Sequence, residues 1–104
     1  MQRTTDGFWF DEFKAKKLEL KNPEVTIYFT EKENCIVRKH DEKEGYKTYL
    51  KADAKSLIED HIKKLREPHK TETILLLRNV GVPFIKNDII DPIVNSHFPP
   101  DKEI

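Results

Sequence analysis

The sequence predicts an α+β fold: a three- or four-stranded antiparallel meander followed by two to three helices packed on one face. Two observations carry this. Between residues 16 and 51, apolar and polar side chains alternate in short runs separated by polar turns, the period of half-buried strands. From residue 53 the apolar spacing changes to threes and fours, the period of a helix. A chain of 104 residues has the usual length of one domain. The expectation is a single small α+β domain over residues 1–104, with 1–7 and 101–104 as loose termini.

The first element has two readings. Leu18 and Leu20 alternate with charged residues as in a strand, yet Trp9, Phe13 and Leu20 would share one face of a helix over Asp11 to Lys21. The reading favoured is a short helical or irregular aromatic segment at 8–14 followed by a strand. Val25, Ile27 and Phe29 form the next strand, Cys35 and Val37 the third, and Tyr46, Thr48 and Leu50 the fourth. Asn22-Pro23-Glu24, Glu31-Lys32-Glu33-Asn34 and Glu42-Lys43-Glu44-Gly45 are short and polar, as hairpin connectors require.

A helix is predicted over 53–66. Ala54, Leu57, Ile58, Ile62 and Leu65 fall in one stripe, Asp53 can cap the first free amides, and Pro68 disfavours helix at Glu67. Glu59 to Lys63 and Asp60 to Lys64 are favourable i,i+4 pairs on its wet face. A second helix runs from Thr71 or Thr73 to Val80, with Gly81 in the left-handed position beyond its end. Val82-Pro83-Phe84 then reads as an extended connector. A last helix begins at Asn87, or at Asp91 as cap with Pro92 in the first helical position. The predicted core is Val25, Ile27, Phe29, Val37, Tyr46, Leu50, Leu57, Ile58, Ile62, Leu65, Ile74, Leu77 and Ile90.

Ile74 to Val94 gathers twelve apolar side chains in twenty-one positions. Leu75, Leu76 and Leu77 point in three directions on a helix, whereas a surface helix needs a stripe only about 100° wide. Some of these groups must face another part of the chain or a partner. Packing beside the 53–66 helix would bury two of the leucines and leave one, with part of Ile89–Val94, to be accounted for. The run has the length of a membrane span but contains Arg78, Lys86, Asp88 and Asp91. Each central charge costs about 2.5–3.5 kcal/mol on insertion, which excludes a span.

Charged residues make up 37% of the chain, and the nineteen basic and nineteen acidic side chains also balance locally. Nucleic-acid binders draw affinity from basic blocks that neutralise phosphates, and none stands out along this chain. A single cysteine, Cys35, leaves no internal disulfide and fits a reducing compartment. The first residues, Met-Gln-Arg-Thr-Thr-Asp-Gly, lack the apolar segment of a signal peptide. The expected location is cytoplasmic or otherwise intracellular, without membrane association.

No motif specifies a chemistry. With only Gly7, Gly45 and Gly81 there is no phosphate-cradling loop, and no His-Glu-x-x-His or Gly-x-Ser-x-Gly occurs. Cys35 with His40, and His61 with His69, match no common zinc spacing, so neither a cofactor nor a metal is expected. His61 falls inside the apolar stripe of the 53–66 helix and reads as a core-edge histidine bonded to a backbone carbonyl. A ligand or pH switch is its sharper alternative. His40 and His69 sit in polar turns. The expectation is a protein without enzymatic activity, in which no cleft gathers His61 or His97 with a carboxylate or with Cys35.

Phe8-Trp9-Phe10 with Phe13 places four of ten aromatics in six positions. Such a knot either plugs one end of the core or stands exposed as an anchor for a partner. These features favour a non-catalytic protein–protein interaction module, a small regulator or inhibitor that binds another protein or itself. Its candidate contacts are Phe8, Trp9, Phe10, Phe13, Leu76, Ile89 and Ile93. Strands followed by helices on so small a chain resemble the layout of small phage and plasmid-borne regulators and inhibitors, in architecture alone.

The alternative is a small nucleic-acid-binding domain. With a helix over Asp11–Leu20, the order α-β-β-β-α through residue 66 resembles a double-stranded-RNA-binding domain. Members grip phosphates with lysines at the start of the closing helix, where Ala52-Asp53-Ala54-Lys55-Ser56 offers one lysine and one aspartate. A strand-strand-strand-helix reader resembling the arm-binding domains of integrases would use Lys47, Tyr49 and Lys51 on one exposed strand face.

Overall fold

The computed structural model describes residues 1–21, 24–40, 43 and 45–98. Strands β3 (Lys16–Leu20), β4 (Val25–Phe29), β5 (Cys35–Lys39) and β6 (Tyr46–Tyr49) form an antiparallel meander in the order β3-β4-β5-β6. It is preceded by a small hairpin of β1 (Gln2–Arg3) and β2 (Trp9–Phe10) and followed by helices α1 (Lys51–Lys63) and α2 (His69–Arg78). A helical turn, α3 (Pro83–Ile85), leads through a π-helical segment, Lys86–Ile90, into α4 (Asp91–His97). The fold is α+β with a four-stranded meander, so Lys16–Leu20 is a strand and residues 1–15 contain no helix.

Register explains which residues the helices cover. Leu18 pairs with Ile27 and Ile27 with Val37, while Phe29 pairs with Cys35 and Cys35 with Tyr49. Directly opposed residues share a face, so these side chains point together toward the helices. There they join Ala54, Ile58 and Ile62 of α1, Ile74 and Leu77 of α2, and Ile85, Ile89, Ile90 and Ile93. Residues one position away, Tyr28, Ile36 and Tyr46, point to the opposite face. Every residue of β4 is buried, although its sequence alternates Val, Thr, Ile, Tyr, Phe. Burial on both faces requires cover on both, and the second cover is the N-terminal hairpin.

That hairpin overturns the expectation of a loose terminus at 1–7. Thr4 is 3% exposed; its amide donates to the Phe8 carbonyl at 2.7 Å and its hydroxyl accepts from the Phe8 amide at 2.9 Å. The Thr5 amide donates to the Tyr46 carbonyl at 2.8 Å, tying the arm to the outer edge of β6. Asp6 Oδ1 accepts from the Thr48 hydroxyl at 3.2 Å and its amide at 3.4 Å, further along that edge. These bonds satisfy groups that an open sheet edge would offer to another chain. Asp11–Lys14 is a turn, closed by the Asp11 carbonyl accepting from Lys14 and Ala15, both at 3.2 Å.

The connector Glu31–Asn34 closes with the Thr30 amide donating to the Asn34 carbonyl at 2.9 Å and Glu33 at φ 65°. The other two expected connectors lie partly outside the described residues, at 22, 23, 42 and 44, and the tail residues 101–104 lie wholly outside them.

The helices depart from expectation at their ends. Helix α1 starts two residues early, so Asp53 sits in its first turn rather than as its cap, which is Leu50. Leu50 therefore leaves the strand pattern and is 74% exposed, although the alternation predicts it in the core. Helix α1 also stops at Lys63, five residues before Pro68, and Leu57, Leu65 and Tyr46 are half-buried rather than buried. Glu59 pairs backward with Lys55, at 3.9 Å.

Helix α2 begins at His69 and ends at Arg78, and Gly81 has the left-handed φ of 67° two residues beyond the cap Asn79. Val82-Pro83-Phe84 is not an extended connector, because Pro83 opens a helical turn. Its fixed φ and missing N–H suit a first turn. At Asp91 the amide donates five residues back, to Lys86. Pro92 has no N–H to give the Asp88 carbonyl, and its ring would press on that carbonyl in a regular α-helix. The wider π turn makes room.

Candidate interaction surface

The aromatic knot divides by its alternation. Phe10, at an inward position of β2, is 5% exposed and packs with its ring centroid 5.3 Å from Tyr28 and 5.2 Å from Tyr46. Tyr28 and Tyr46 stand 5.8 Å apart, and Ile36 completes this outer cluster. Trp9, the next residue, points the other way and is 63% exposed, while Phe8 before the strand is 60% exposed, Phe13 in the following turn 87% and Met1 76%. One residue of the knot plugs the outer face, and three stand in solvent. Phe10 is thus removed from the set of candidate contacts.

The backbone that carries the exposed rings is tied down, and the Trp9 ring has a contact of its own. Arg3 lies over Trp9 at 5.7 Å, across the β1–β2 pair. The Phe13 amide donates to Asp11 Oδ1 at 3.0 Å, fixing the turn that projects Phe13. Glu12 accepts from Gln2 Nε2 at 3.0 Å and from the Tyr46 hydroxyl at 3.4 Å, binding the turn to both the hairpin and the sheet. Between the hairpin and the β4–β5 turn runs a groove of about 380 Å³, with Met1, Phe8 and Trp9 on one wall and Thr30, Lys32 and Asn34 on the other. Lys14 and Lys32 face Asp11 and Glu31 around it, so the groove carries no charge excess.

The second expected contact region is smaller than its sequence suggested. Leu77 is fully buried, while Leu75 and Leu76 are 41% and 47% exposed. One leucine rather than two is taken up, because the buried stripe of α2 is narrow and centred between Ile74 and Leu77. Ile89 and Ile93, assigned to the surface, are 0% and 7% exposed and belong to the core. The π turn and α4 aim them at the sheet. Of the original set, Phe8, Trp9, Phe13 and Leu76 remain at the surface.

The residues of the nucleic-acid alternative do not form one strand face. Lys47 and Tyr49 lie on the helix-facing side of β6, where Tyr49 packs against the main core. Lys51 is in the first turn of α1, and its Nζ sits 2.7 Å from Asp88 Oδ2. That bond raises the pKa of Lys51 and lowers that of Asp88. The α-β-β-β-α order is also absent, since residues before the meander form a hairpin and a turn.

His61 is 6% exposed, with Nε2 2.8 Å from the Lys21 carbonyl, as its core-edge reading requires. His40 reaches the buried Thr26 hydroxyl at 2.8 Å, so it is not merely solvated. Cys35 is buried, and desolvation pushes its thiol up to about 11, away from nucleophilic use. No group of three or more metal-ligating side chains gathers among the described residues.

One expectation fails: a cleft between α1, α2 and α4 does bring His97 together with a carboxylate, Glu59. His97 Nε2 also lies 3.2 Å from the Thr71 hydroxyl and 3.6 Å from Glu67 Oε1. The Glu67 side chain is 57% exposed, so this contact is wet rather than the dry, positioned pair that acid–base work uses. No helix among the described residues is long and apolar enough to cross a membrane. Compared with protein-family models, curated proteins and solved structures, the chain matches none of them.

Proposed function

We propose that the protein is a non-catalytic protein–protein interaction module, a small regulator or inhibitor that acts by holding a partner against its N-terminal hairpin. The supporting observation is the split of the aromatic knot. A buried Phe10 anchors a platform from which Phe8, Trp9 and Phe13 are presented to solvent. Aromatic side chains offer roughly 150–250 Å² each, so at their exposures these three present roughly 450 Å². Typical monomers show no larger apolar patch than about 300–600 Å², and a standard interface buries about 800 Å² per partner. Three rings would supply over half of one. Their backbone is fixed by the hairpin and the turn, and Trp9 lies under Arg3, which reduces the ordering cost of binding.

Photo-crosslinking in the cells that make the protein tests this. A benzoylphenylalanine placed at Phe13 should give a discrete adduct, and one at the exposed helix position Asp60 should not. An adduct with the mass of two chains would identify the partner as a second copy. Equal adduct patterns from both positions, or none from Phe13, would overturn the reading.

A further inference from the structure

A second depression, on the helical side, has a different chemistry. The cleft between α1, α2 and α4 encloses about 300 Å³, and its walls include Lys55 and Lys63 of α1, Lys70 of α2, and Ser96 and His97 of α4. Its floor is Ile62, Ile74 and Ile93. Three lysines line it with one carboxylate, Glu59, and Glu67 Oε1 stands 3.6 Å from the wall residue His97, so the basic groups outnumber the acidic ones by one before His97 is counted. Glu59 is 3.9 Å from Lys55. Among the described residues, Lys63 and Lys70 have no ion-pair partner. Two helices thus bring two lysines without an ion-pair partner to the border of one concave site, where an anion can pair with both.

The type of anion follows from the donors. Lysine is a compact point charge with three donors, whereas planar carboxylates are best met by the arginine fork, and this cleft contains no arginine. A phosphoryl group has enough oxygens to accept from two ammonium groups and from the Ser96 hydroxyl. The isoleucine floor would cover an apolar body, and the volume is at the lower end of small-ligand sites. We propose that the cleft binds a small phosphomonoester carrying an apolar group, its phosphoryl between Lys63 and Lys70 and its body over Ile62, Ile74 and Ile93.

Titrating the full chain with inorganic phosphate and with phenyl phosphate at fixed ionic strength, read by amide NMR shifts, tests this. Saturable shifts confined to residues 55–63, 70 and 92–97 are expected, with phenyl phosphate binding about fivefold tighter for its buried ring. The K63Q/K70Q double variant should bind about tenfold more weakly with an unchanged unfolding midpoint, while K64Q, outside the cleft, should bind as the parent does. Benzoate binding as tightly as phenyl phosphate would overturn the phosphoryl assignment. Unsaturable shifts spread over all lysines, or undiminished binding by the double variant, would overturn the site. None of these readouts involves the hairpin.

Discussion

Replacing Phe10 by alanine should unfold the protein far more readily than replacing Phe13, three residues away and of the same type. Phe10 is 5% exposed and contacts two tyrosine rings at 5.2–5.3 Å, whereas Phe13 is 87% exposed. Removing the buried ring returns up to about 150–200 Å² of apolar surface to water, roughly 4 kcal/mol at 25 cal/mol per Å². Core Phe→Ala changes cost about 3–5 kcal/mol, and partial collapse of the short hairpin argues for the lower end, about 3 kcal/mol. F13A should fall within about 0.5 kcal/mol of the parent. In urea, with a slope of about 1.5 kcal/mol per molar, the F10A midpoint should fall by about 2 M. Amide exchange at Thr5, whose N–H donates to Tyr46, gives a local readout of hairpin detachment. Equal midpoints for F10A and F13A would refute the reasoning, because the outer aromatic layer would then lie outside the cooperative fold.

His61→Ala should cost about 1–3 kcal/mol by leaving the Lys21 carbonyl without its donor, and His61→Gln should recover part of that loss. Chemical denaturation at neutral pH checks both, and a neutral H61A would count against a structural role. Alkaline stability follows from two groups that burial pushes upward: Tyr28 to about 12 and Cys35 to about 11. Both folded values exceed the unfolded ones, so this stability is present below about pH 9 and is lost as pH rises toward 11–12. C35A should flatten the lower part of that decline in a pH series of thermal melts. An unchanged slope would contradict the placement of Cys35. Asp6 works in the other direction. The Thr4 hydroxyl, followed by its own amide and the bonds from Thr48, lowers its pKa, so D6N should weaken the acid-side loss of stability below the ordinary carboxylate range. A parent-like acid limb in D6N would argue against that network.

The alternating runs at 25–29, 35–37 and 46–49 and the stripe from Ala54 to Ile62 determined the meander and the first helix. Period is set by the covalent geometry of strands and helices, so each segment reports its own state. His61 was legible for the same reason, since its place in the apolar stripe left a nearby carbonyl as its natural partner. What a segment packs against is not written in its own period. Leu50 continued the strand alternation but became the cap of α1, because chain direction changes there. Ile89 and Ile93 looked available for a partner until the π turn before Pro92 rotated them into the core.

The N-terminal arm and the knot depended wholly on distant contacts. Residues 1–7 look like a free tail, yet Thr5 and Asp6 are ordered by Tyr46 and Thr48, forty residues away. The cleft lysines come from two helices whose local charges balance along the chain, and only their packing places Lys63 and Lys70 at one site. The sequence by itself determined the strands at 25–29, 35–37 and 46–49, the first two long helices in outline, and that the aromatic cluster at 8–13 needed an explanation. The tertiary structure alone decided that Phe10 would be buried and Phe8, Trp9 and Phe13 exposed. The physical reason is that burial is a property of opposed surfaces, and the second surface, the outer face of Tyr28, Ile36 and Tyr46, exists only once the meander has formed.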